Sequence, residues 1–212
     1  MIPKIIHQWW TGDLPAHIEG WMDEWRRLHP DWSYRLHEDD ISGQFDADLK
    51  RCWDMVPDLW RADTVARIRS NIVRVWLLSE QGGVWVDADI QPLRPIDPFL
   101  VFDGWVPWTS DRSGWYAVNT PWGSAPEHDL VWRCRRDLLA EHQKKAAGWK
   151  VDLTGPRYVN DRIGPDTTVL AEYLFNPYSW QSTSLYPIDE GIDFSVIFPD
   201  SYTVHHWNYA RR

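Results

Sequence analysis

Cysteine is scarce: only Cys52 and Cys134 occur in 212 residues, and there is no C-x-x-C pair. A dense disulfide framework is excluded, and two isolated cysteines fit free thiols in a reducing, cytoplasmic compartment. Long apolar runs are also missing, the longest being too short and too often interrupted to span a bilayer. The opening stretch from Met1 to Trp10 is strand-like and has neither the apolar core nor the small-residue cleavage site of a signal peptide. Basic charge is in deficit, with 22 Lys and Arg against 31 Asp and Glu, a formal charge of −9 and a pI near 5.3. That balance argues against a chain that wraps nucleic acid and disfavours anionic membrane surfaces. No nucleic-acid partner and no membrane span are expected, and peripheral association is the membrane contact left open. Two phosphate-binding signatures are absent as well: there is no G-x-x-x-x-G-K-[ST], and no G-x-G-x-x-G follows a strand.

What is present is a globular composition, 43% hydrophobic, 15% aromatic and 25% charged, with 17 Trp. At 25.1 kDa the folded chain should expose about 10,000 Å² against about 36,000 Å² unfolded, enough for one ordinary core. No repeat or linker divides it, so residues 1–212 are read as a single domain. Ile5 to Trp10 reads as a strand, and Ile18, Trp21, Met22, Trp25 and Leu28 fall at helical spacing before His29-Pro30. Asp31 to His37 alternates like a second strand, and this β-α-β order predicts an α/β sheet. Residues 40–56 read as short helical or loop pieces, Asp58 to Gln81 as one long helix, and Val84-Trp85-Val86 as a strand buried on both faces. Further strands are expected near 105–108, 115–119 and 202–207, and helices over 126–147 and 166–173.

The long helix, Gly82-Gly83 and the buried strand lead into Asp87-Ala88-Asp89. Composition alone explains a bare D-x-D: 23 Asp give roughly two or three by chance, and Asp46/Asp48 is another. The setting singles out the second pair, because ligands of open α/β sheets bind at the carboxyl ends of strands. Two carboxylates held there repel unless a cation neutralises them, and a hard divalent ion, Mn²⁺ or Mg²⁺, is the natural partner. Such an ion leaves positions for phosphate oxygens, which points to a diphosphate-bearing substrate.

Ser70-Asn71-Ile72-Val73-Arg74, then seven residues, then Gly82-Gly83-Val84-Trp85-Val86-Asp87-Ala88-Asp89, resembles the S-D-x-x-R…G-G-x-Y-x-D-x-D core of the DXD-containing sugar transferases. That family includes fungal α-1,6-mannosyltransferases, capsular polysaccharide transferases and, distantly, the clostridial glucosylating toxins. Further matches follow in order: Ile2 to Trp10 at the opening strand, Asn119 with Gly123 to His128, Thr154-Gly155-Pro156, and Val204-His205-His206-Trp207. The resemblance implies a GT-A type, Rossmann-like mixed sheet flanked by helices. It also implies a retaining, metal-dependent transferase that moves a hexose from a UDP- or GDP-sugar to a saccharide, lipid or protein acceptor. On it, Asp89, Asp87 and His205 hold the metal, and Asp87 also holds the ribose. Arg74 meets the donor sugar or diphosphate, and Trp10 covers the base. Asn71 and Gly83 line the donor side, while Asn119, Thr154 and Gly155 lie on the acceptor side. Two departures stand out: Asn71 replaces the family's usual Asp, and Asn208-Tyr209 stands where relatives carry a Ser-Trp pair. An amide still donates and accepts hydrogen bonds, so altered donor preference is expected rather than lost activity.

The remaining residues are read more plainly. His7 in its apolar strand is expected to be a satisfied core histidine. His205 and His206 are adjacent on a strand and must face opposite ways. Trp21, Trp25, Trp76 and Trp132 fit helical core positions. Trp9, Trp10, Trp108, Trp115, Trp122, Trp180 and Trp207 sit near strand ends or loops, where a ring can stack on a base or a pyranose. Two competing functions are a Trp-rich carbohydrate-binding module with structural Ca²⁺, normally all-β, and a metal-dependent phosphohydrolase, normally with a larger ligand set.

Overall fold

The computed structural model describes residues 1–38, 40–60, 62–111, 114–148, 155–188 and 191–207. Ile6 to Trp9 are buried along strand β1 (Ile5–Trp10), because it has a parallel neighbour on each side: β2 (Ser33–Glu38) and β3 (Gly83–Trp85). Between β1 and β2 runs helix α1 (Ala16–Leu28), which buries Ile18, Met22 and Trp25 on one face. Its Trp25 indole donates to the carbonyl of Ile90 at 3.0 Å, tying α1 to β4 (Ile90–Pro92).

Two helices precede β3. Residues 47–56, expected as short helical or loop pieces, belong to one helix, α2 (Ala47–Leu59), with Asp46 as its N-cap accepting from Leu49 N at 2.9 Å. The Asp46/Asp48 pair is therefore a helix start, where a carboxylate relieves unpaired N–H groups. The long helix expected from Asp58 is also divided. Pro57 cannot donate in the last turn of α2, Trp60 turns extended, and α3 (Ala62–Gln81) begins afresh. Gly82 and Gly83 follow at φ +62° and +101°. A Cβ on Gly83 would lie 2.7 Å from the Ile5 carbonyl oxygen, so only glycine lets β3 approach β1 here.

Beyond β3 the sheet turns antiparallel. The order is β2-β1-β3-β7-β5-β6, with β5 (Gly104–Asp111), β6 (Gly114–Ala117) and β7 (Trp122–Ser124), and β8 (Thr168–Leu170) pairs with β5 in parallel. A helix was expected over 166–173. Instead β-branched Thr168 and Val169 join the exposed edge of β5, and only α6 (Glu172–Phe175) is helical. The other long helix is α4 (Asp129–Ala146), followed by the short α5 (Pro156–Asn160). Near the end come α7 (Phe194–Ile197) and β9 (Thr203–His205), which pairs antiparallel with β4. This is the α/β architecture expected, a mixed sheet flanked by helices.

The tryptophans divide differently from expectation. Trp25 and Trp76 are core, but Trp132 is 40% exposed on α4, with Arg135 4.9 Å from its ring. Trp122, expected at a rim, is fully buried, and Trp9 packs edge-on against Trp53 inside the core. Both cysteines are free and buried. Among the described residues no helix is long and apolar enough to cross a membrane.

Candidate active site

Asp87 leaves the carboxyl end of β3 held at both backbone and side chain. Its N–H donates to Thr120 Oγ1 at 2.9 Å, and its carbonyl accepts from Gln8 Nε2 at 3.4 Å. Its Oδ1 accepts from Trp85 Nε1 at 2.7 Å and from Arg74 Nη2 at 2.5 Å. Arg74 is not a solvated helix charge: it is 2% exposed on the face of α3 turned to the sheet. Burial works against its positive charge, while the adjacent Asp87 carboxylate supports it. One turn earlier on α3, Asn71 Oδ1 accepts from Arg74 Nη1 at 2.6 Å and from Asn119 Nδ2 at 3.0 Å. Arg74 Nε is buried and makes no hydrogen bond.

Asp89 meets the last strand. His206 N donates to the Asp89 carbonyl at 2.9 Å, and this bond brings His205 Nε2 within 3.1 Å of Asp89 Oδ1. Trp207 follows in the left-handed region at φ +52°, which folds its ring onto His205 at a centroid distance of 3.7 Å. Its indole N–H is held by the Tyr178 carbonyl at 3.2 Å. The two histidines face opposite ways, as strand alternation requires. His206 stacks on Trp21 at 4.2 Å and 6°, with Nε2 3.0 Å from Gln91 Oε1.

One ligand atom each from Asp87, Asp89 and His205 lies within 4.8 Å of the others. Two carboxylates beside one guanidinium leave an excess negative charge, and the buried Nδ1 of His205 has no hydrogen-bond partner. Carboxylate oxygen with imidazole nitrogen suits Mn²⁺ or Mg²⁺, so the residues present fit a hard divalent ion.

Other expected residues fall around this cluster unevenly. Trp10 ends β1, donates to the carbonyls of Gly12 and Asp13 at 3.1 Å, and packs with the group that includes Ala88. Asn119, assigned to the acceptor side from the sequence, is 5% exposed and bonded to Asn71, on the Arg74 side. Gly83 opens β3 at the end away from Asp87, against Ile5. Gly155 is the N-cap of α5, whose Asn160 Oδ1 accepts from Ala117 N of β6 at 3.2 Å. Thr154 lies outside the described residues. His7 is a satisfied core histidine, between His37 at 3.1 Å and the Gly82 carbonyl at 3.0 Å. Gln8, Thr120 and Trp85 were missed. Gln8 carried a legible signal, a polar residue in a buried strand, whereas Thr120 had none.

This geometry coincides with a family match. The family described as glycosyltransferase sugar-binding region containing DXD motif matches residues 15–106, the stretch that carries Asn71, Arg74, Asp87 and Asp89. The chain is 26% identical over 210 residues to mannosyl phosphorylinositol ceramide synthase SUR1 of Saccharomyces cerevisiae, covering 99% of this chain and 50% of that protein. It is 34% identical over 143 residues to inositol phosphoceramide mannosyltransferase 3 of Schizosaccharomyces pombe, covering 65% and 37%. The chain thus spans about half the length of these curated relatives, or less. Among solved structures, the PaToxG glycosyltransferase aligns with a TM-score of 0.61 at 15% identity, over 76% of this chain and 68% of that one. That likeness shows a shared GT-A fold. With the motif, its setting and these relatives in agreement, residues 15–106 match the family of glycosyltransferase sugar-binding regions containing the DXD motif, and the chain resembles glycosyltransferases of that kind.

Proposed function

We propose that the chain is a metal-dependent, retaining glycosyltransferase that moves a hexose from a nucleotide-diphospho-sugar to a hydroxyl acceptor. The observation that carries this reading is the meeting of Asp87, Asp89 and His205 beside the buried Arg74 at the carboxyl end of β3. When bound there, Mn²⁺ or Mg²⁺ supplies Lewis-acid stabilisation of the leaving diphosphate. Arg74, held by Asn71 and Asp87, adds a fixed positive charge that needs no reorganisation as negative charge develops. Trp10 covers the base, and Asp87 receives the ribose. The bond from the anomeric carbon to the diphosphate breaks while the acceptor oxygen bonds on the same face, and the acceptor proton passes to the leaving oxygen. The relatives' printed activities support mannose as the sugar and an inositol phosphoceramide lipid as the acceptor. A cytoplasmic location, which two isolated thiols suit, belongs to the same reading and is checked by fractionating the source cells.

A helix-flanked mixed sheet is not the all-β architecture of the lectin alternative. The deciding experiment incubates the protein with Mn²⁺ and a panel of UDP- and GDP-sugars and follows donor hydrolysis. Asp89→Asn is expected to abolish turnover while the circular dichroism spectrum is kept. Undiminished turnover in that variant with EDTA present would refute the proposal.

A further inference from the structure

Asp87, Ala88 and Asp89 lie in a turn, closed by Ile90 N donating to the Asp87 carbonyl at 3.1 Å. The turn carries both carboxylates just beyond β3, where the sheet ladder no longer fixes the chain. Anchors from elsewhere hold it: Thr120 Oγ1 on Asp87 N, His206 N on the Asp89 carbonyl, and the Trp25 indole on the Ile90 carbonyl. The anchor from within the sheet is Gln8 of β1, whose Nε2 donates at 3.4 Å to the Asp87 carbonyl, the same oxygen that closes the turn. Gln8 is fully buried, and an amide is costly to bury unless both of its ends are bonded. A carbonyl only accepts, so Nε2 faces Asp87 and Oε1 faces away, where the Tyr34 hydroxyl of β2 donates to it. Asp87 Oδ1 is already engaged by Arg74 and Trp85, so the seat of the turn decides where its second oxygen points.

We infer that Gln8, oriented by Tyr34, is a positioning residue that seats the turn carrying Asp87 and Asp89, and that divalent-cation affinity depends on it. This rests on the metal site of the proposed function and deepens it. Groups that hold metal ligands in place without touching the ion are worth about 10- to 100-fold in affinity, and one neutral hydrogen bond acting through the main chain belongs at the lower end, about tenfold.

The test titrates Mn²⁺, followed by EPR, into the wild type, Gln8→Met, Tyr34→Phe and the double variant, with urea unfolding of each. Methionine keeps the length of the glutamine stem and loses both polar ends. Gln8→Met is expected to bind Mn²⁺ about tenfold more weakly and Tyr34→Phe to show a smaller loss. The double variant should bind no more weakly than Gln8→Met, because the two groups act in one chain. A Gln8 that only fills β1 would lower the urea midpoint and leave Mn²⁺ affinity alone. Undiminished affinity in either single variant, or losses that multiply in the double variant, would overturn the inference. If Gln8→Met does not fold, Tyr34→Phe, at a half-buried position, carries the test. Wild type that binds no Mn²⁺ removes the metal site and this inference with it. Wild type that binds Mn²⁺, with Gln8→Met binding equally well, removes the inference alone.

Discussion

Lowering the pH from about 6.5 to about 4.5 is expected to destabilise the fold through His7 of β1, which pairs with the strand leading into Asp87. His7 is fully buried, and its Nε2 lies 3.0 Å from the Gly82 carbonyl, which can only accept, so Nε2 carries the proton. Nδ1 is then the acceptor for His37 Nε2–H at 3.1 Å, with the rings stacked 5.4 Å apart. A second proton on His7 would set N–H against N–H inside the core. Burial first, and then the neighbouring His37, push His7 down to about 3; burial, with Arg35 nearby, pushes His37 down to about 4. The unfolded chain, with histidine near 6.5, binds more protons than the native state between about pH 6.5 and about pH 3. Stability therefore falls as the pH drops through that window. At about 1.4 kcal/mol per pH unit, His7 accounts for about 2–3 kcal/mol between pH 6.5 and 4.5. That interval lies above the usual carboxylate range, but buried His29 and His142 are also pushed down and contribute to the same slope. The comparison that isolates His7 is with His7→Gln, whose amide can still donate to Gly82. Urea unfolding followed by tryptophan fluorescence at both pH values should show the wild type losing about 2–3 kcal/mol more than the variant. Equal losses would refute the assignment.

Gly83→Ala is expected to cost at least about 2 kcal/mol, because φ +101° is strained for alanine and its Cβ would meet backbone oxygen of β1; the urea midpoint measures it. An unchanged midpoint would mean that β3 can slide away from β1. Trp207→Leu removes the ring stacked on His205 and its bond to Tyr178, and should weaken Mn²⁺ binding about tenfold in an EPR titration, with the fold kept. Unchanged affinity would show that the ring does not orient the histidine.

Several elements were legible because their signal is local. Ile18, Met22 and Trp25 share one face of α1 in the sequence and in the fold, and consecutive Val84, Trp85 and Val86 announce a strand buried on both sides. Alternation alone separated His205 from His206. Other features depended on what arrives from elsewhere. Residues 168–170 became a strand because β5 offered an unpaired edge, against a weak helical pattern. Trp132 had helical spacing but lies on an outward part of α4, 40% exposed beside Arg135, while Trp122, in a turn-rich stretch, was enclosed by the sheet. The two D-x-D pairs are chemically alike; one caps α2 and the other meets His205.

By itself the sequence determined the order of elements, the motif with its helix, glycines and strand, and the residue types able to bind a cation and a diphosphate. These follow from periodicity and from chemistry that a residue carries wherever it sits. Only the tertiary structure decided which residues meet. His205 reaches Asp89 across 116 positions because β9 pairs with β4 and His206 bonds the Asp89 carbonyl. Asn119 donates to Asn71 Oδ1 at 3.0 Å, 48 positions away, because the chain after β6 returns to α3. Such contacts are set by sheet order and burial, which no short window of sequence encodes.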